Sequence, residues 1–380
     1  MRRVGVRRLA QRGATHVALA LIVLLAVFAG HVLTPQRAKA HEVVAPVQVG
    51  ISFSQRRAAA LDLNYQEAFD QLLAMHFKVI RLAVYWDDVN ATGGYDEVDW
   101  MMQAALAAHQ PVALTVGMKS LGWPEFFIPA IYQPHVPDGG DVGRDAELRV
   151  ATLDFVSRTV DRYESYPNLV AWQVENEPFN RAGPNRWWIG KDMLAAEVAA
   201  VRARDQRPVI VNVFSHFNMQ FDQAASRNGV TIGSLLGFDT DTAERDSVAA
   251  LRPGDILGFD VYTRIGYHFL GHDGVATADG NWDEHVAKWR AVAETQGKPT
   301  WITEAQAEPW EPDWSTYATP KSFAPSDLEQ TFHDLKDSGE TTVLLWGSEY
   351  WLWRLQNGDP TWIEAVRQIL REESKAPAVV

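Results

Sequence analysis

The sequence predicts a (β/α)8 barrel with enlarged loops, preceded by a secretory leader. Three observations carry this prediction. Short runs rich in Val, Ile and Leu alternate with longer amphipathic segments, which is the pattern of repeated strand-helix units around a parallel sheet. The runs are almost continuously apolar rather than alternating, as strands covered on both faces require. Finally, polar and acidic residues gather where those runs end, the edge at which barrels of this kind carry their reactive groups.

Eight runs read as strands: Val47 to Phe53, Val79 to Val84, Val112 to Val116, Leu169 to Val174, Val209 to Phe214, Ile256 to Val261, Thr300 to Thr303 and Thr342 to Trp346. Helical periodicity fills the gaps at Tyr65 to His76, Val98 to His109, Ala146 to Tyr163, Gly190 to Arg204, Asp283 to Gln296 and Ser326 to Asp337, and Thr361 to Glu373 closes the set. The enlarged loops are expected after strands three, four and five. An open doubly wound sheet is the competing architecture, but GISFSQRR after the first strand lacks the spaced glycines of a phosphate-binding turn.

Residues 1–40 stand apart. A basic start, MRRVGVRRLAQRGATH, precedes the apolar VALALIVLLAVFAGHVL, and Ala38-Lys39-Ala40 places small residues where a signal peptidase reads them. Cleavage after Ala40 would release residues 41–375 as a single domain with a frayed tail at 376–380, acting outside the cytoplasm. An uncleaved leader would instead serve as a membrane anchor.

The whole chain has 35 Lys/Arg and 48 Asp/Glu. Seven of the basic residues and none of the acids lie in the leader, so the remainder carries 28 basic residues and a formal charge of −20. Such a surface repels nucleic acid and anionic membranes and suits a neutral substrate. Cysteine is absent, which excludes disulfides, thiolate metal sites and a cysteine nucleophile. A monomer is the expected state.

The strand ends supply the chemistry. Strand four closes with Glu175, Asn176, Glu177 and Pro178; strand seven closes with Glu304; strand two carries Arg81; strand six ends in Asp260 and Tyr262; strand eight ends in Trp346. Pro178 ends the pairing of strand four because it has no amide hydrogen to donate. Burying two carboxylates in an apolar barrel mouth is costly without a purpose. Glycoside hydrolysis supplies one: one acid protonates the departing oxygen, and the other attacks the anomeric carbon or activates water. Their environments must differ, and Arg81 with Tyr262 would hold one carboxylate ionised while desolvation raises the other. Glu175 reads as a supporting residue, and Asp260 and Glu308 read as solvated loop acids.

Sugar rings present apolar faces that stack on aromatic surfaces. Of the 15 tryptophans, Trp346 is the first choice for such a platform, followed by Trp86, Trp123 and Trp310. His268 and His272 lie four apart, but their stretch holds a glycine, lacks the zinc-protease glutamate and reads as a loop. Neither a catalytic metal nor a cofactor is expected.

Taken together, Asn176-Glu177-Pro178 at the end of a Trp-bearing strand, Glu304 on a strand 127 positions later and Trp346 on the eighth strand resemble clan A of the glycoside hydrolases. These are retaining (β/α)8 enzymes that include cellulase-like and mannanase-like families, and the likeness runs from about Val47 to Trp346. The resemblance implies Glu177 as general acid/base and Glu304 as nucleophile. It also implies Asn176 as a partner of the sugar 2-hydroxyl, Arg81 and Tyr262 as supports of Glu304, and Trp346 as the floor beneath the reacting sugar. Two positions depart from the cellulase-like pattern: strand six ends Asp260-Val261-Tyr262 where His-x-Tyr is common, and Lys119 follows strand three where some members place a histidine. A carbohydrate-binding barrel without turnover and a transglycosylase are the alternatives.

Overall fold

The computed structural model describes residues 46–92, 94–218, 220–222, 241–269 and 271–375. The proposed leader and the tail at 376–380 lie outside them, and everything below concerns the unit that begins at Val44. Among the described residues no helix is long and apolar enough to cross a membrane.

Eight parallel strands close into a barrel. They are β1 (Gln48–Ser52), β2 (Ile80–Ala83), β3 (Val112–Val116), β4 (Leu169–Val174), β5 (Val209–Phe214), β6 (Ile256–Val261), β9 (Thr300–Gln306) and β10 (Thr342–Trp346), where β7 (Arg264–Phe269) and β8 (His272–Thr277) form a separate antiparallel hairpin. The barrel is sealed by β1 pairing with both β2 and β10. All eight expected strands are present, and each of the seven expected helices appears within a few residues of its sequence bounds.

Strand pleating sorts the side chains into layers. One set (Leu82, Leu114, Trp172, Val211, Phe259, Leu345) joins the helices in the main core. The alternate set faces inward. At the bottom of the lumen Val79, Ala113, Ala171, Ile210, Ile256 and Leu344 form a small apolar plug. Two residues further along the strands the inward positions turn polar, with Arg81, Gln173 and Asn212 all buried. At the mouth Tyr85, Leu121, Phe127, Tyr262, Ile265 and Trp346 make an aromatic rim. The lumen is narrow at its polar layer: a Cβ on Gly258 would lie 2.7 Å from both Asn212 Cβ and Thr303 Oγ1.

β9 departs from plain alternation and runs beyond Thr303, where its sequence reading stops. Phe259 pairs with Ile302 but Asp260 pairs with Glu304, so two residues of β9 oppose one step of β6. This bulge lets the consecutive residues Thr303 and Glu304 both face the lumen.

The hairpin is the main departure from the expected order. Tyr267 to Phe269 and His272 to Asp273 are not irregular loop; they form the second half of β7 and the start of β8, with His268 Nδ1 2.8 Å from Asp273 Oδ1. Gly271 and the Asp273-Gly274 pair read as loop residues and hid two strands that pair only with each other.

Candidate active site

Glu304 sits at the centre of the mouth, 4% exposed. Arg81 Nη2 donates to its Oε1 at 2.5 Å and the Tyr262 hydroxyl donates to its Oε2 at 2.7 Å. Arg81 is wholly buried yet fully engaged: Nε donates to Ser52 Oγ at 2.9 Å and Nη1 to Gln173 Oε1 at 3.0 Å. Such fixed partners are what a buried guanidinium needs to offset its desolvation. Burial and then the Glu304 charge push the Tyr262 phenol well up, so it remains a donor.

Strand β4 leaves the barrel through an unusual backbone. Glu175 and Glu177 both adopt left-handed φ values, +60° and +44°. Opposite them, Gly117 has φ +129°, and a Cβ there would lie 2.3 Å from the Glu175 carboxyl carbon. Glu175 fills this cradle and accepts the backbone N–H of Met118 at 2.8 Å and of Lys119 at 2.5 Å. The turn thereby aims Asn176 and Glu177 into the mouth. Asn176 Oδ1 accepts from Asn212 Nδ2 at 2.8 Å, and the Glu177 amide donates to Asn212 Oδ1 at 2.8 Å.

Glu177 itself is loosely held. Asn180 Nδ2 donates to its Oε2 at 3.4 Å, and Lys119 Nζ stands 3.8 Å from that oxygen while donating to the Glu177 carbonyl at 2.8 Å. Burial pushes the Glu177 carboxyl up, the nearby Lys119 opposes this, and the Glu304 charge raises it further. The two carboxyls therefore differ: one is clamped by a cation and a phenol, and the other is desolvated beside a negative neighbour.

Two acids expected to be solvated are not. Asp260 is fully buried, with Oδ2 accepting from Asn212 Nδ2 and Oδ1 from Thr303 Oγ1, each at 2.5 Å. Burial and then the Glu304 and Glu177 charges hold its carboxyl well above the usual range. Glu308 is also buried, in an ion pair with Arg57, whose guanidinium lies 5.7 Å from the Trp346 ring centroid. The strand parity that points Tyr262 inward points Asp260, two residues earlier, the same way. That was the readable signal.

Lys119, three residues past the end of β3, stands where the cellulase-like pattern can place a histidine; Glu125 carries no such signal, because the loop after β3 returns to the mouth only in three dimensions. Glu125 Oε2 is 3.9 Å from Lys119 Nζ, and burial, against that cation, pushes its carboxyl up to about 8.

The tryptophans divide. Trp346 is 7% exposed in the rim beside Tyr262. Trp310 packs edge-on against Tyr262 at 5.0 Å and is 38% exposed, while Trp123, in the loop after β3, is 67% exposed. Trp86 is a correction: it is 1% exposed, stacked between Tyr132 at 5.4 Å and Phe155 at 5.3 Å. It opens a short helix, Trp86–Thr92, that turns its ring into the core rather than toward the mouth. Among the described residues no cluster of His, Asp or Glu could hold a metal ion.

Comparison with known proteins agrees with this fold. The chain is similar in fold to GH5_18 from Streptomyces cattleya, whose structure is a complex with GlcNAc: 12% identity, TM-score 0.57, covering 89% of this chain and 83% of that one. GH5_18 from Bifidobacterium longum subsp. longum gives 13% identity and TM-score 0.56 over 88% and 81% of the two chains. A β-galactosidase from Rahnella sp. R3 gives 12% identity and TM-score 0.56 over 89% of this chain, which spans 57% of that larger one. No curated relative matches the sequence. The profile of "Cellulase (glycosyl hydrolase family 5)" matches residues 44–308, which include both carboxylates of the mouth. The chain belongs to glycosyl hydrolase family 5, within clan A of the glycoside hydrolases.

Proposed function

We propose that this glycoside hydrolase cleaves β-glycosidic bonds of a neutral glycan by double displacement, with Glu304 as nucleophile and Glu177 as acid/base. The observation that carries the reading is the contrast between the two carboxyls: Glu304 is fixed by Arg81 and Tyr262, whereas Glu177 is raised by burial and by Glu304. In the first step a Glu304 oxygen attacks the anomeric carbon, the glycosidic C–O bond breaks, and Glu177 gives its proton to the departing oxygen. In the second step Glu177 takes a proton from water, which attacks the same carbon and releases Glu304 from its ester. Each displacement inverts the carbon, so the product retains the starting configuration.

Asn176 is assigned the sugar 2-hydroxyl, as the clan A resemblance implies; Asn212 Nδ2 and Gln173 Nε2 hold its Oδ1, at 2.8 and 3.2 Å, and so fix the orientation of that side chain. Trp346 forms the floor of the reacting site, and Trp310 and Trp123 supply further aromatic surface. We place the enzyme outside the cytoplasm on the strength of residues 1–40, which join a basic start to an apolar run and an Ala-x-Ala end. The net charge of −20 without that leader favours an uncharged substrate.

The decisive experiment is trapping with an activated 2-deoxy-2-fluoro-β-glycoside, followed by peptide mass analysis. A label on Glu304 is expected, with none in Glu304→Gln. A stable label on another residue, or an inverted product by NMR, would overturn the assignment.

A further inference from the structure

The β7–β8 hairpin plays no part in the chemistry above, yet it is built onto the same site. Thr263 N and Arg264 N both donate to Gln306 Oε1, at 2.9 and 3.0 Å, and Gln306 Nε2 donates to the Arg264 carbonyl at 2.7 Å. Gln306 ends β9, two residues beyond Glu304. Gly266 N donates to the Trp310 carbonyl at 2.7 Å, and a Cβ on Gly266 would meet that oxygen at 2.7 Å and Pro312 Cδ at 3.0 Å. One face of the hairpin is thus pressed against the loop after β9.

The other face carries Ile265, Tyr267 and Phe269, which share a side of β7 by the two-residue period. Ile265 is buried in the aromatic rim together with Tyr262 and Trp346. Tyr267 is 47% exposed and Phe269 is 65% exposed. Tyr267 pairs across the hairpin with Gly274, and a Cβ on Gly274 would come within 2.4 Å of the Tyr267 ring, so the ring lies over a bare backbone. At about 3.3 Å per residue, Phe269 stands about 13 Å further out than Ile265. The charged groups of the hairpin are paired: Arg264 Nε lies 3.8 Å from Asp327 Oδ2, and Asp273 meets His268 and, at 3.7 Å, Lys321 Nζ.

We infer that this face is an arm that binds a glycan chain beyond the reacting sugar, which makes the preferred substrate a polysaccharide or long oligosaccharide rather than a disaccharide. The inference rests on the proposed hydrolysis and names the substrate class of that same site. A neutral sugar polymer is the occupant the features select. The strip is continuous with the rim around Tyr262, its rings are flat and lack paired charge, and stacking on apolar sugar faces needs surface of this kind. A protein partner would have no reason to begin at the catalytic rim.

The test uses the full chain with Tyr267→Ala and Phe269→Ala combined; both rings are exposed, so the core is untouched. Activity is compared on an aryl β-glycoside and on soluble β-mannan, hydroxyethylcellulose and xylan. On the polymer that the parent cleaves, kcat/KM should fall about tenfold or more for two lost stacking surfaces, with the aryl glycoside changed less than twofold. Equal loss on both substrates, no loss on either, or a change from dimer to monomer by light scattering would overturn the arm. If the parent cleaves none of these substrates, the proposed hydrolysis is what fails. The arm is then read by affinity electrophoresis in gels containing the same polymers: retardation that the double variant abolishes supports it, and absent or unaltered retardation overturns it.

Discussion

Lys119→Met is the most direct probe of how the mouth sets its proton. Lys119 Nζ stands 3.8 Å from Glu177 Oε2, and both side chains are largely withdrawn from solvent, at 0% and 12% exposure. Two unit charges at about 4 Å interact by about 4 kcal/mol at an effective dielectric of 20. That would be about 3 pH units at 1.36 kcal/mol each. Lys119 also faces Glu125 at 3.9 Å and donates to the Glu177 carbonyl, so only part of its field is lost to the acid/base. The expected change is about 1 to 2 units. The cation favours ionised Glu177, so its removal raises a carboxyl that burial already holds up. A general acid must be protonated, and activity disappears as pH rises through its pKa. The alkaline limb of the kcat/KM profile, measured with an aryl glycoside of poor leaving ability, should therefore move to higher pH. An alkaline limb that stays in place or moves down, in a variant with unchanged near-UV circular dichroism, would refute the coupling.

Other changes follow from contacts described above. Tyr262→Phe deletes one hydrogen bond to a buried carboxylate, worth about 1.5–3 kcal/mol, so kcat/KM should fall about ten- to a hundredfold and the melting temperature should fall with it. Trp86→Ala should cost about 3–5 kcal/mol in denaturant unfolding, because the ring is sealed between Tyr132 and Phe155, yet leave KM where it is; a raised KM would return Trp86 to the substrate surface. Glu197, buried in the helix Lys191–Arg202 beside Glu175, has its carboxyl pushed well up by burial and by the Glu175 charge. An acid raised in the folded state contributes stability that is lost as pH climbs from its unfolded value through the raised one. Glu197→Gln, which keeps a neutral side chain, should flatten this loss, so its melting temperature relative to the parent should improve steadily from acid toward alkaline buffer.

Most of the barrel was legible because strands covered on both faces must be apolar along their whole length. Val112 to Val116, Leu169 to Val174, Val209 to Phe214, Ile256 to Val261 and Thr342 to Trp346 appear with the bounds their composition suggests. The pair Glu177 and Glu304 was legible for the opposite reason, as carboxylates at the ends of such runs. What escaped has equally physical causes. Pleating turns Asp260 inward, but an aspartate next to a loop looks solvated unless its parity is followed from Tyr262. Glu125 reaches the mouth through a long loop, and no spacing foretells that return. The Arg264–Phe269 and His272–Thr277 strands hide because their partners are each other, with only Ile265 and Ala276 contributing to a core. Trp86 misled because an aromatic just past a strand end fits either role, and a helix beginning there decided it.

The doubled step at Thr303 and Glu304 also ties chain length to chemistry. Thr303 grips Asp260 and Glu304 meets Arg81 from adjoining positions, an arrangement that a regular strand would deny to one of the two. Dropping a single residue between Thr300 and Glu304 would restore plain alternation, so that the two positions could no longer both face the lumen. Spacing in this segment is therefore as binding a requirement as the identity of the acid, and a homologous barrel can be grafted here only if it brings the same count.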